Sequence, residues 1–274
     1  MRSVFNRFIL LLSFLIIGSH IVVANERSFT YTYESSVLNA GQREIEIWNT
    51  FHWQRRDYYR KFRHRIEYEV GLGGNVQTAF YLNLTNTAKH AGSNSAAFLE
   101  KEFEVGFSNE WKYKLSDPVA NVLGFALYGE IGLTTNEVDL EGKIILDKKI
   151  GSTLQALNIV VEPEWETEIE NGKTATGYTF NLEVDYGFSY RLSDRWNLGI
   201  ELRNQNEYTK DGRLQHSTLF GGPVVSYATD GFWITLTALP QLYAFRALPG
   251  NKSSHRELRA HEQLETRMIF SYEL

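Results

Sequence analysis

Ionisable side chains in this sequence recur at every second position, and that spacing limits the chemistry they could do. Glu44 and Glu46 form one such row, Arg63, Arg65, Glu67 and Glu69 the next. Glu102 and Glu104, Glu164, then Glu183 and Asp185 continue the pattern, with Arg203, Glu265 and Arg267 nearer the C-terminus. Cations fixed opposite carboxylates set a transverse field that orients a passing solute and governs ion preference. Such ladders also pair across neighbouring strands and simply fill an interior. Carboxylate pairs occur on so many runs that none is selective for acid–base catalysis. His216 and Ser217 are adjacent, as a hydrolase could use if a third group oriented the base, but no recognisable motif surrounds them. His52 and His261 come close if the first and last runs are neighbours, and interior histidines are expected to be hydrogen-bonded rather than ligands. With no HExxH, EF-hand loop or phosphate-binding glycine loop, no catalytic residue, metal or cofactor is assigned.

Composition narrows the classes further. The chain has 274 residues, 43% apolar and 14% aromatic, and no cysteine, which removes disulfides, thiol nucleophiles and cysteine-bound zinc together. Its formal charge is −5, and −7 once residues 1–24 are set aside, because Arg2 and Arg7 leave without any carboxylate. Nucleic acid is therefore not an expected partner.

The elements that must position the charged rows are strands. From Gln42 onward apolar and polar residues alternate with period two, which only a strand turns into one oily and one wet face. Ile45, Ile47, Phe51 and Trp53 oppose Glu44, Glu46 and His52; Phe62, Ile66, Tyr68 and Val70 oppose Arg63, Arg65, Glu67 and Glu69. Gly73-Gly74-Asn75 then returns the chain into a hairpin. The rhythm persists to Met268, Phe270, Tyr272 and Leu274, and predicts about twelve strands. Returns near 73–75, 116–118, 193–195 and 229–231 are tight, while those near 86–96, 169–177, 206–216 and 247–257 are long. A brief loop at Thr135-Asn136 and a looser return over Lys148–Thr153 depart from that asymmetry.

The N-terminus carries an address. Arg2 and Arg7 precede an apolar run over Phe8–Ile17 and a Val22-Val23-Ala24 ending, which predicts a secretory signal peptide over 1–24, cleaved after Ala24. Residues 25–41 are expected to be a periplasmic lead-in able to cover the inner mouth, too short for a plug domain. Residues 42–274 then form one domain.

A soluble sandwich also alternates. Runs of ten or more residues, a densely charged second face, and aromatics near strand ends favour a tilted strand crossing hydrocarbon. Tyr58, Tyr59, Trp111, Tyr113, Tyr190, Trp196, Tyr227, Trp233 and Tyr243 are the expected girdle. Open edges in lipid leave backbone groups unpaired, so the sheet must close, with the parity of Glu46 inward and that of Ile47 outward. The expected fold is a single all-β, closed antiparallel transmembrane barrel. The charged rows named above, with His52 and His261, are its expected lumen lining, mainly acidic.

Gly41 to Trp48, Arg65 to Gly71 and Val76 to Leu82 resemble the opening hairpin of uncharacterised bacterial outer-membrane barrels, similar in layout to transporters grouped with phenol-degradation (MetA) pathways. The alternating C-terminus resembles the signal by which such barrels are assembled. These resemblances imply a Gram-negative outer-membrane location, with lipid, the barrel-assembly machinery and small solutes as partners, and a passive, porin-like transport role. The rival expectations are an outer-membrane lipid hydrolase using Ser217 and a closed structural or adhesive barrel.

Overall fold

The computed structural model describes residues 27–91, 98–170, 173–251 and 255–274. The signal-peptide segment and its cleavage point lie outside them. The strands are β1 (Arg43–Trp53), β2 (Tyr59–Gly73), β3 (Val76–Ala91), β4 (Phe98–Ser116), β5 (Gly124–Leu133) and β6 (Glu137–Ile150). They continue as β7 (Thr153–Glu170), β8 (Lys173–Arg191), β9 (Trp196–Thr209), β10 (Leu214–Ala228), β11 (Phe232–Arg246) and β12 (Leu264–Glu273). Each pairs antiparallel with its sequence neighbours, and β1 closes the cylinder against β12 from Glu44 opposite Glu273 to Trp53 opposite Leu264. The fold is thus an all-β, closed twelve-stranded antiparallel barrel.

Parity falls as the alternation dictates. Glu44, Glu46, Thr50 and His52 of β1 are buried inside, while Phe51 and Trp53 are exposed outside. On β2, Glu67 and Glu69 are buried and Ile66, Tyr68 and Leu72 exposed. At the end carrying both chain termini most turns are short, but β4 and β5 are joined by residues 117–123, so the tight return expected near 116–118 is corrected. At β2–β3, Gly73, Gly74 and Asn75 all hold positive φ, a conformation glycine adopts freely and asparagine tolerates. The β6–β7 return is also tight, since only Gly151 and Ser152 separate the strands and Gly151 takes φ 56°. The looser return read from Lys148 to Thr153 is corrected accordingly.

Trp111, Tyr113, Tyr190 and Trp196 stand exposed near the short-turn end, where Trp196 packs on Tyr227 at 4.7 Å between centroids. Two residues leave the expected girdle. Trp233 is fully buried in the interior, and Tyr59 shares the inward parity of β2, with the Arg55 guanidinium 3.8 Å above its ring. Aromatic identity alone does not reveal which face a strand-end residue takes; register does.

The interior is not wholly polar. Trp48, Ala126, Tyr128, Ile145, Trp233 and Ile269 point inward and cluster around Tyr33. Leu154, Ala156 and Val224 surround Phe29, and Phe220 and Leu239 surround Tyr31. All three clusters are centred on the segment preceding β1.

Candidate functional site

Residues 27–38 form an arch inside the barrel, at the short-turn end. The backbone amide of Leu38 donates to Gln77 Oε1 at 2.9 Å, two residues into β3. Ser35 is bound through its amide and hydroxyl to Asp147 at 3.0 and 2.7 Å. Tyr33 N–H donates to Asn158 Oδ1 at 2.5 Å, and Asn158 Nδ2 returns a bond to Tyr33 O at 3.0 Å. At the crown, Glu201 Oε1 accepts the amides of Thr30, Tyr31 and Thr32 at 3.1, 2.8 and 2.9 Å. The chain then descends, and Arg27 O accepts from Ser226 and Thr235 near the β10–β11 turn. None of these bonds is a sheet ladder; barrel side chains satisfy the arch's backbone, so the arch is docked rather than woven in.

Two tyrosines form the top of this arch. Tyr31 lies between the guanidinium groups of Arg203 and Arg267, 3.9 and 3.6 Å from its ring centre. Tyr33 carries the Lys143 ammonium at 4.0 Å on one side and Arg27 at 4.2 Å on the other. Cations over electron-rich ring faces grip each tyrosine without needing its hydroxyl.

Tyr31 and Tyr33 are the floor of a cavity of about 300 Å³ that reaches Lys61, Thr134 and Glu137 at the other end. Lys61, Arg63, Arg65, Lys143, Arg203 and Arg267 line it together with nine carboxyl groups, Glu104, Glu130, Glu137, Asp139, Glu141, Glu162, Glu164, Glu183 and Asp185. The two signs are partly segregated: Lys61, Arg63, Arg65 and Arg267 stand on β2 and β12, whereas all nine acids stand on β4–β8. Arg203 crosses that divide, meeting Glu183 and Glu265 at 2.7 Å each and Asp185 at 3.6 Å. Arg65 meets Asn83 at 2.7 Å and Glu130 at 3.5 Å, and Lys143 meets Glu141 at 2.6 Å.

The expected lining therefore separates into groups. Arg63, Arg65, Glu104, Glu164, Glu183, Asp185, Arg203 and Arg267 line the cavity. Glu44, Glu46, Glu67 and Glu69 are buried at the short-turn end, and Glu46 and Glu69 border a second, small space with Arg27 and Tyr33. His52 is hydrogen-bonded to Glu262 and lies 3.9 Å from Glu265. Glu102 is exposed and meets Lys89 at 4.0 Å. His261 does not join His52 but His216, ring nitrogen to ring nitrogen at 3.0 Å, and His216 in turn meets Glu207 at 3.3 Å. Burial and the neighbouring His216 push His261 down to about 3. Burial opposes ionisation of Glu262, yet the bond from His52 and the charge of Arg55 hold its carboxyl below the usual range.

Ser217 is not paired with His216. Its hydroxyl donates to Asn206 Oδ1 at 2.6 Å, while the His216 ring engages Glu207 and His261, as alternation on a strand requires of adjacent side chains. Sequence reasoning missed Glu201, Asn158 and Asp147 as anchors and Tyr31 and Tyr33 as the floor. One signal was present: the alternation breaks into adjacent apolar residues at Ile144-Ile145, Val160-Val161, Val224-Val225 and Phe232-Trp233-Ile234, marking inward apolar sites with something to bury.

A closed twelve-stranded barrel with an internal arch and a charged cavity defines the structural class. By sequence, residues 21–274 match, and the chain belongs to, a family of unknown function, DUF6662. No curated protein matches it. Among solved structures it is similar to the COG4313 outer membrane channel from Pseudomonas putida F1, with TM-score 0.58 and 13% identity over 90% of this chain and 100% of that one. The beta domain of the Bordetella autotransporter BrkA gives TM-score 0.56 and 11% identity over 86% and 100%. The NanC porin gives 0.53 and 7% over 84% and 100%. At these identities the likeness is one of fold.

Proposed function

We propose that this protein is an outer-membrane channel that admits small solutes passively and is held shut at its periplasmic half by its own N-terminal arch. The observation that carries the reading is the charged cavity ending on Tyr31 and Tyr33. Large apolar side chains stand exposed on the outer face of every strand except β10, the surface that lipid would cover. Because the arch is held by side chains and not by a ladder, it can leave without opening the barrel wall. Nine carboxyl groups against six lysines and arginines give the cavity an acidic excess, favouring cations, neutral and dipolar solutes over anions. The similarity to an outer membrane channel and to a porin supports this reading through the fold.

Planar-bilayer recording tests it. The full chain is expected to conduct weakly or in rare openings, and a variant lacking residues 27–38 to conduct steadily with a cation-selective reversal potential. Folded barrels that pass no ions in either form would refute the channel; anion selectivity would refute the acidic lumen.

A further inference from the structure

Beneath the arch, five carboxyl groups are crowded together: Glu44 and Glu46 on β1, Glu67 and Glu69 on β2, and Glu110 on β4, none more than 6% exposed. One oxygen each from Glu67, Glu69 and Glu110 lies within 4.8 Å of the others, and Glu44, Glu46 and Glu69 form a second such triad. Glu69 belongs to both. Protein donors satisfy part of this set: Trp48 Nε1 to Glu46 at 2.7 Å, Ser271 to Glu44 at 3.0 Å, Gln77 to Glu69 at 3.4 Å, and the Tyr81 hydroxyl to Glu110. Among the described residues two cations stand by, Arg27 at 3.8 Å from Glu46 and Lys112 bordering the same small space.

A second, separate observation points to a ligand. Glu67 Oε2 and Glu110 Oε1 are fully buried and have no hydrogen-bond partner. Carboxyl oxygens sequestered from water must be neutralised, by a proton or by a counter-charge. Spacing identifies its kind. A hard divalent ion takes carboxylate oxygens at roughly 2.3–2.6 Å, so oxygens up to about 5 Å apart can touch one ion. The triad's oxygens, all within 4.8 Å of one another, fall inside that limit. Beside Glu69 a space of about 20 Å³, bordered also by Glu46, Arg27 and Lys112, is enough for one retained water.

We propose that Glu67, Glu69 and Glu110 hold a calcium-class divalent cation under the arch. The ion neutralises the cluster on which Arg27 and Tyr33 rest, and so couples divalent-cation supply to docking of the arch. The site does not depend on the barrel being a channel.

Terbium titration of the chelator-stripped, folded protein tests the site, because Tyr81 and Trp48 are bonded to cluster carboxylates and would sensitise a bound lanthanide. Saturable emission displaced by calcium is expected. Glu69→Gln and Glu110→Gln should each weaken terbium binding by at least about tenfold, since ligand charge sets affinity. Glu164→Gln, in the upper cavity, should not. Heat-modifiable gel mobility confirms that each variant is folded. Absence of sensitised emission, or emission that survives both cluster substitutions and disappears in Glu164→Gln, overturns the proposal.

Discussion

Replacing Glu201 by alanine should release the arch. Glu201 is fully buried, and its two oxygens accept from three arch amides, the Thr30 hydroxyl at 3.1 Å and the Thr237 hydroxyl at 2.6 Å. A hydrogen bond to a charged acceptor is worth about 1.5–3 kcal/mol, but three sharing one oxygen do not add. Removing one partner of a buried charged network costs about 3–5 kcal/mol, which sets the upper range for the docked state. At about 1.4 kcal/mol per decade, the undocked population rises by roughly two to four decades. Glu201→Gln keeps an acceptor oxygen and should cost about 1–2 kcal/mol, near one decade. The chain has no cysteine, so a single Thr32→Cys gives a clean reporter. Thr32 is 1% exposed and its hydroxyl has no partner, so the thiol displaces no bond. Labelling by a bulky water-soluble maleimide then reads the undocked population. The expected order is native, Glu201→Gln, Glu201→Ala, each step about tenfold or more. Equal labelling rates in all three, or rapid labelling with Glu201 intact, would refute the docked arch.

Gly187→Ala tests the same arch from another side: a Cβ there would sit 2.6 Å from the Phe29 ring, so Phe29 must leave its pocket. Thr32→Cys labelling should rise in this variant while the folded barrel's gel mobility stays unchanged. A pH test addresses the segment before β12. It docks through Leu258 O to Arg56 N at 2.6 Å, Gln241 to Glu257, and His261 to His216. The folded His261 titrates at about 3 against about 6.5 when free, so its docking is complete above pH ~6.5 and is lost progressively below it. Glu262, held down by His52 and Arg55, weakens docking only once the pH falls below the ordinary carboxylate range, roughly 4.3. Protease cleavage between residues 247 and 263 should therefore rise from pH 6.5 to 4.5, and His261→Gln should flatten that rise.

Much of the barrel was legible because lipid and water impose opposite demands on successive residues. Ile45 and Glu46, or Ile66 and Glu67, cannot exchange faces without putting a charge into hydrocarbon, so the rhythm determines register as well as strand count. Closure of β1 on β12 followed from the cost of bare edges. What failed was the assignment of Trp233 and Tyr59, where an aromatic near a strand end has the same composition whether it faces headgroups or the interior.

The interior was less legible, and the reason is physical. The inward face of a strand is coded by what it meets, and a lumen can meet water, an opposing wall or the chain's own terminus. Acidic and basic rows read alike in all three cases: Glu183 pairs with Arg203, Glu201 caps backbone amides, and Glu164 lines the cavity, although their local sequences are all polar alternation. Apolar residues on the inward parity discriminate better. Trp48, Ile145, Trp233 and Ile269 would be unfavourable in an aqueous lumen and are favourable only if a segment covers them. The lead-in supplies such a segment, because in Phe29-Thr30-Tyr31-Thr32-Tyr33 the aromatics recur at every second residue. That is the same period as the wall, without a partner strand to complete a ladder. The inward apolar sites and the aromatic lead-in are thus two halves of one signal, and each becomes interpretable only with the other. Substituting Ile145 or Ile269 by threonine should therefore weaken arch docking more than it weakens the barrel, whose ladder bonds do not depend on those side chains.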